Sequence, residues 1–412
     1  MRRLKMLRML ALLLALALFV AACGEDEEPE EEAADPGEGM LIGYVLPETG
    51  PLAFLGPPQI ESLNLAVDDI NDVGGVLGED VSVASGDEAG DPAVASESAE
   101  NLLGQGVHAI IGAAASGVSS QIVGQIAGGG VVQCSGSNTA PVIDEEDTGF
   151  YFRTAPTDEL QAPALAEVVV ADGNFDVSIM ARADDYGQGF LDELSIAIEE
   201  QGGTVLADVL YDPEAASFTA DVENAIADDP EGIVVIGFDE GAQVISDLIE
   251  AQYGPDDVAL YTADGMRSAS LWESVDPDDP AVLEGMRGTA PGADLDYNER
   301  LLDIEGVDDP IFGGQVYDCV TLIALAAHAA GSVEPEDYQP EMIAVSRDGT
   351  ECSSFEECRD LLDDGEDIDY QGVSGPIEFT DDGNVSIATY EIFEFDSEGE
   401  PVQEDTVEGR IE

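Results

Sequence analysis

The sequence predicts an α/β protein of two lobes, each a mostly parallel sheet flanked by helices. Three observations carry that reading. From residue 40 to about 262, short apolar runs alternate with longer amphipathic segments, the rhythm of parallel strands joined by helical crossovers. The alternation falls into two series, before and after about residue 155, with no sequence repeat linking them. The final third departs from it, and 412 residues are enough to bury two cores.

In the first series, strands are expected over 40–47, 81–85, 107–112 and 131–134, with helices over 60–73, 92–105 and 116–127. In the second, strands fall at 177–182, 204–211, 232–237 and 258–262, and helices at 159–171, 188–201, 218–227 and 242–251. Residues 316–330, VYDCVTLIALAAHAA, are apolar nearly all round and too short to span a bilayer. They read as a buried core helix, with His328 a core or rim residue. After Tyr370 the pattern turns to strand and turn (377–380, Asp382-Gly383, 386–395), an antiparallel edge.

The first 23 residues are a targeting segment. Arg2, Arg3, Lys5 and Arg8 precede an apolar run from Met9 to Ala22, and Cys23 follows. The run is shorter than the roughly 18–20 residues of a spanning helix, so it reads as a secretory signal. Val20-Ala21-Ala22-Cys23 resembles the bacterial lipobox, which implies removal of 1–22 and lipidation of Cys23. Residues 23–39 then form an acidic tether whose like charges keep it extended. The expected location is the extracytoplasmic face of the cell membrane, held there by lipid.

The chain carries 90 Asp+Glu against 12 Lys+Arg. Loss of 1–22 removes four positive charges and no acids, taking the net charge from −78 to −82. Such a surface argues against nucleic acid or anionic lipid as partners and resembles the proteins of salt-adapted organisms. With Cys23 lipidated, four cysteines remain. Cys352 and Cys358 lie six apart and can close a local loop, leaving Cys134 with Cys319, but sequence leaves three pairings open. There is no CxxC, and His108 and His328 are the only histidines, which argues against a Cys/His metal cluster.

Ligands of open α/β sheets bind beyond the carboxyl ends of the strands, so the loops there are where to look. In the first lobe these are 47–56, the loop IGAAASGVSS (111–120) and 135–139. The second of them is a run of small, uncharged residues at the start of a helix, suited to hold an anion on backbone N–H groups. In the second lobe the loops are 184–187, 238–240 and 263–267, which supply aromatics and carboxylates. This division suits a small ligand with an anionic and a cationic end, held between the lobes. Catalysis is not expected: Gly372-Val373-Ser374-Gly375 lacks the GxSxG spacing, Lys5 is the only lysine, and neither histidine falls in a candidate loop.

From about residue 41 to 395 the chain resembles the amino-acid-binding branch of the type I periplasmic binding proteins, whose members include leucine/isoleucine/valine receptors of ABC importers. The stretches that carry the likeness are GYVLPETGPLAFLG, AVDDINDVGGV, AIIGAAASGVSS, CSGSNTAP, FYFRTAPTDELQAPALAE, DDYGQGF, DGMRSASL, VYDCVTLIALAA and YQGVSGPIEFTDDGN. The resemblance implies two lobes that close on a ligand about three crossovers, here near 155–158, 286–290 and 371–375. Lobe 1 is then 40–156 with 288–372, and lobe 2 is 157–287 with 373–412.

It also implies a carboxylate site at Ser116, Ser137 and Thr139, an amine partner at Asp264 and a closing aromatic at Tyr186. Phe238, in a ligand-contacting loop where relatives often carry a tyrosine, implies the loss of a hydroxyl contact, and Leu55 is expected to line the side-chain pocket. Ser116 can in addition cap its helix, and Arg153 and Arg182 are further candidates for ligand contact. In this fold Cys134 and Cys319 fall beside the cleft, where a disulfide would tie a binding loop to the core. The implied protein is a monomeric receptor, without cofactor, that delivers an amino-acid-like ligand to an importer permease. The alternative is a sensor of the same fold, reading amides or urea-like solutes for a signalling partner.

Overall fold

The structure is a computed structural model that describes residues 39–146 and 149–410. The targeting segment, Cys23 and most of the tether lie outside the described residues.

The first lobe is built on a five-stranded parallel sheet, ordered β2-β1-β3-β4-β5. Its strands are β1 (Leu41–Val45), β2 (Ser82–Ala84), β3 (Ala109–Gly112), β4 (Val132–Ser135) and β5 (Tyr151–Arg153). Every pair is parallel because a helix returns the chain between strands. β1, β3 and β4 are almost wholly buried, as continuous apolar runs covered on both faces should be.

The second lobe holds a seven-stranded sheet ordered β15-β14-β10-β9-β8-β6-β7. β6 (Asp176–Arg182), β7 (Thr204–Tyr211), β8 (Gly232–Ile236), β9 (Ala259–Thr262) and β10 (Arg287–Pro291) run parallel. β14 (Ile387–Phe395) and β15 (Pro401–Arg410) add an antiparallel edge. A small sheet of β11 (Thr350–Cys352), β12 (Ile368–Gly372) and β13 (Gly375–Pro376) completes the fold.

The apolar segment expected at 316–330 forms the helix Gly313–Ala330, in which fifteen residues from Gly313 to Ala327 are buried without a break. It packs in the first lobe's core with β3, β4 and the helix Gly56–Asp72. Among the described residues there are two disulfides. Cys134–Cys319 ties β4 to this helix with Cα atoms 5.8 Å apart, and Cys352–Cys358 closes a six-residue interval.

Two crossovers lie later than expected. β10 pairs with β9 and β14, so 287–291 belongs to the second sheet and the return passage follows it, at Gly292–Asp294. The third was expected at 371–375, yet Ile377, Phe379 and Val385 are buried in the first lobe's core, with Phe379 against Phe152 at 5.6 Å. The passage into β14 therefore comes at about Ser386. Apolar side chains at the rim of the core are what move both boundaries, and a strand–turn pattern alone does not say which core they serve.

Candidate functional site

The carboxyl ends of β1, β3 and β4 face those of β6, β8 and β9 across a cleft, and the lobes stand close together. A side chain at Gly117, in the first turn of the helix Ser116–Gly128, would lie 4.0 Å from Asp185 of the opposite helix Asp185–Glu200.

On the first-lobe side, the small-residue loop is fixed from three directions. Ser135 Oγ donates to the Ala113 carbonyl at 2.9 Å, and Asn138 Nδ2 donates to the Ala114 carbonyl at 2.7 Å. The Ala114 and Ala115 N–H groups donate to Glu88 at 2.6 and 3.3 Å. Glu88 is fully buried, and burial pushes its carboxyl up to about 7, against the pull of those two N–H groups. An internal acid thus takes the loop's own donors. Among the described residues, the N–H groups of Ser116 and Gly117 have no hydrogen-bond partner and are left at the helix start for an outside anion.

Ser116 does not cap its helix. The N-cap is Ala115, and the Ser116 hydroxyl instead accepts from the Thr139 and Ala140 N–H groups, each at 3.4 Å. Ser116 and Thr139 are therefore together, as expected. Ser137 is close in sequence, but its hydroxyl donates to Gln59 Oε1 at 3.0 Å. Gly136 explains the course of this loop: any side chain there would strike Val316 of the core helix.

On the second-lobe side, Tyr186 lies in the first turn of its helix rather than in the expected loop, because Asp184 caps that helix by accepting the Gly187 N–H at 3.0 Å. The Tyr186 hydroxyl donates to Asp264 Oδ1 at 3.3 Å, and its ring stacks on Phe238 with centroids 5.3 Å apart and planes 12° apart. The Arg182 guanidinium lies over the Phe238 ring, 3.6 Å from its centroid, while pairing with Asp184 and Glu240. Asp264 is buried, which raises its carboxyl to about 6 against the help of Gln161 and the Tyr186 hydroxyl.

Between these walls lies a cavity of about 200 Å³. Pro51, Leu52, Pro92 and Val118 line it from the first lobe, and Arg182 and Phe238 from the second. Leu55, the expected lining residue, is buried in the core and does not line it; the turn Ala53–Leu55 presents Leu52 instead. Arg153 is no ligand contact. It is fully buried, with Nε on Asn384, Nη1 on the Ala140 carbonyl and Nη2 on both oxygens of Asp144.

The sequence reading missed Asp158. It opens the helix Asp158–Ala171 directly after the first crossover and is fully buried, and neither carboxylate oxygen has a hydrogen-bond partner. Burial, then the nearby Asp264 charge, hold its pKa well above the carboxylate range. Gln161 Oε1, Thr289 Oγ1 and the Tyr390 hydroxyl are likewise buried without partners. The available signal was an acid in a helix's first turn immediately after a crossover, within a stretch already singled out for its resemblance. Among the described residues no group of His, Cys, Asp and Glu is arranged to hold a metal ion.

The sequence profile of the periplasmic binding proteins matches residues 40–400. The chain belongs to this family. Its two lobes and three crossovers are the type I arrangement. Members are solute-binding proteins rather than enzymes and work outside the cytoplasm. No described helix of this periplasmic binding protein is long and apolar enough to cross a membrane.

Among its relatives is the chemotactic signal transduction system substrate-binding protein BasB of Halobacterium salinarum, 28% identical over 360 residues and covering 84% of each chain. The Leu/Ile/Val-binding protein BraC3 of Rhizobium johnstonii is 25% identical over 319 residues, 76% of this chain and 84% of that one. The branched-chain amino acid transporter substrate binding protein LivJ of Streptococcus pneumoniae, solved with isoleucine, superposes with a TM-score of 0.74 at 20% identity. That match covers 90% of this binding protein and all of LivJ, and it establishes the fold.

Proposed function

We propose that this binding protein closes on a small zwitterion, an amino acid of branched-chain or similar size, and delivers it to an ABC importer. The observation that carries the reading is a small, mostly apolar cavity between the lobes, with Gly117 on one wall and Phe238 on the other. Phe238 is stacked on the Tyr186 that holds Asp264; Asp264 and Asp158 do not themselves line the cavity. Free N–H groups at Ser116 and Gly117 beside the Ser116 and Thr139 hydroxyls suit a carboxylate. Asp264 and Asp158, two buried acids with no basic partner of their own, suit an ammonium. The apolar lining from Leu52, Pro92, Val118 and Phe238 suits an aliphatic side chain. A zwitterion brings no net charge into the field of an acidic protein, so the carboxylate needs no Lys or Arg. In the same reading the protein is a monomer, anchored by a lipid on Cys23, with an acidic surface that stays hydrated in salt.

A thermal-shift panel of amino acids and amides tests this. An amino acid at 100 times its Kd stabilises by about 2.7 kcal/mol, and no shift with any amino acid overturns the reading.

The likeness to BasB, named for chemotactic signal transduction, favours a second reading in which occupancy of the same site is reported to a signalling partner. Uptake of labelled leucine, compared between cells with and without the protein, separates the two. Loss of uptake supports transport, and loss of chemotaxis with intact uptake supports sensing.

A further inference from the structure

Arg267 closes the turn that Asp264 opens. Asp264–Met266 is a single 3₁₀ turn after β9, and the Arg267 N–H donates to the Asp264 carbonyl at 3.0 Å. From there the side chain of this residue, only 7% exposed, reaches two carboxylates of different origin. Glu391, which pairs with its Nε, belongs to β14 of the same sheet as β9. Asp309, which accepts from its Nη1, does not.

Asp309 lies between the helices Leu295–Leu302 and Gly313–Ala330, and both are fastened to the first lobe's helix Gly56–Asp72. Arg300 grips Asp69 with two bonds of 2.7 Å, the Tyr297 hydroxyl donates to Ser62 Oγ at 2.7 Å, and the Tyr317 hydroxyl donates to Asp69 at 2.8 Å. The Ile311 N–H, donating to Asp309 Oδ1 at 3.0 Å, holds the carboxylate toward the arginine. One arginine therefore joins the lobes, and it grows from the turn that carries Asp264.

Opening the lobes would draw Asp309 into water and leave Arg267 buried with Glu391 alone. Burying charge is costly unless it is paired, so the cross-lobe bond contributes only while the lobes are shut. Cations are scarce in this chain, 12 against 90 acids, yet one is placed here.

We propose that Arg267 is a positioning residue that locks closure: through Asp309 it ties the turn bearing Asp264 to the first lobe, so that an amino acid held at Asp264 and the shut arrangement stabilise each other. This rests on the reading of Asp264 as the ammonium partner.

The test compares the unaltered protein with Asp309→Asn and Glu391→Gln. Spin labels at exposed positions, after Val94→Cys in the first lobe and Ile196→Cys in the second, report the distance between lobes, and stopped flow reports L-leucine dissociation. Each substitution removes one carboxylate from the same arginine, so both lower the melting temperature. Only Asp309→Asn is expected to lengthen the interlobe distance and to speed leucine release about tenfold, because only that bond crosses the cleft.

The lock is overturned if Asp309→Asn leaves the distance distribution unchanged, or if Glu391→Gln opens the lobes equally. Failure of leucine and every other amino acid to bind the unaltered protein sinks the reading of the site instead, and the distance comparison still decides the lock.

Discussion

The Tyr186 hydroxyl donates to Asp264 Oδ1 at 3.3 Å while its ring lies flat against Phe238. A side chain that both stacks and hydrogen-bonds has little freedom left. It fixes the position of the Asp264 carboxylate. Asp264→Asn keeps the shape and removes the charge, so amino-acid affinity should fall roughly 100-fold, about the 3 kcal/mol that loss of one partner from a buried charge pair costs. Affinity for an uncharged amide should fall far less. Calorimetry with leucine and with its amide analogue lacking the amino group, 4-methylpentanamide, measures the difference, and equal losses would argue against Asp264 as the ammonium partner.

Asp158 should behave as the second acid of the pair. Asp158→Asn removes a buried carboxylate that has no hydrogen-bond partner, so the ligand-free protein should melt at higher temperature. Leucine binding should weaken at least tenfold, because the ammonium loses one of the two buried acids that suit it. A variant that melts lower without ligand would show that Asp158 is held by contacts that a neutral side chain cannot keep.

Acid should move stability and affinity in opposite directions. Burial raises Asp264 to about 6, Asp318 to about 6 and Glu88 to about 7, and raises Asp158 as well. A carboxyl whose folded pKa lies above its unfolded value binds more protons when folded, so stability rises as pH falls through the folded pKa toward the unfolded one near 4. Ligand-free protein should therefore melt higher at pH 5.5 than at pH 8. Leucine affinity should decline below about pH 6, as Asp264 takes a proton and loses its hold on the ammonium. Melting curves and calorimetry from pH 5 to 8 check both slopes.

Ser116→Ala should weaken binding about tenfold, the contribution of a hydrogen bond to a charged group. The helix start keeps its N-cap Ala115, but the buried Thr139 and Ala140 N–H groups lose their acceptor, so the ligand-free protein should lose about 1 kcal/mol of stability, less than the loss in binding. A loss of affinity matched by an equal loss of stability in the ligand-free protein would assign Ser116 to the architecture of the 135–139 loop instead.

The two disulfides should differ in effect. Cys134–Cys319 closes an interval of 185 residues and Cys352–Cys358 one of six, so the entropic gain is roughly 5 kcal/mol for the first and roughly 2 for the second. Replacing Cys134 and Cys319 by Ala should lower the melting temperature more than replacing Cys352 and Cys358. Unreduced, denatured protein should titrate no thiol from these four.

By itself the sequence determined the alternation of strand and helix, because period and turn chemistry are local. The helix expected at 92–105 is Pro92–Gln105, and the strand expected at 204–211 is β7. It determined that 111–120 is a run of small, uncharged residues leading into a helix, and only the structure showed that Glu88 takes the Ala114 and Ala115 donors and leaves those of Ser116 and Gly117. The resemblance led to Ser116 and Thr139 and to Tyr186 and Asp264, two pairs that the structure joins by hydrogen bonds. Only the tertiary structure decided matters that depend on what lies opposite a residue. Leu52 rather than Leu55 lines the cavity, though both are buried in one core, and Arg153 is consumed by nearby Asp144 and by Asn384 from a distant segment. The passage to β14 waits until Phe379 has been buried beside Phe152. Asp158 was the least legible residue of all. A buried, unpartnered acid looks in sequence like any of the other 89, and only desolvation distinguishes it.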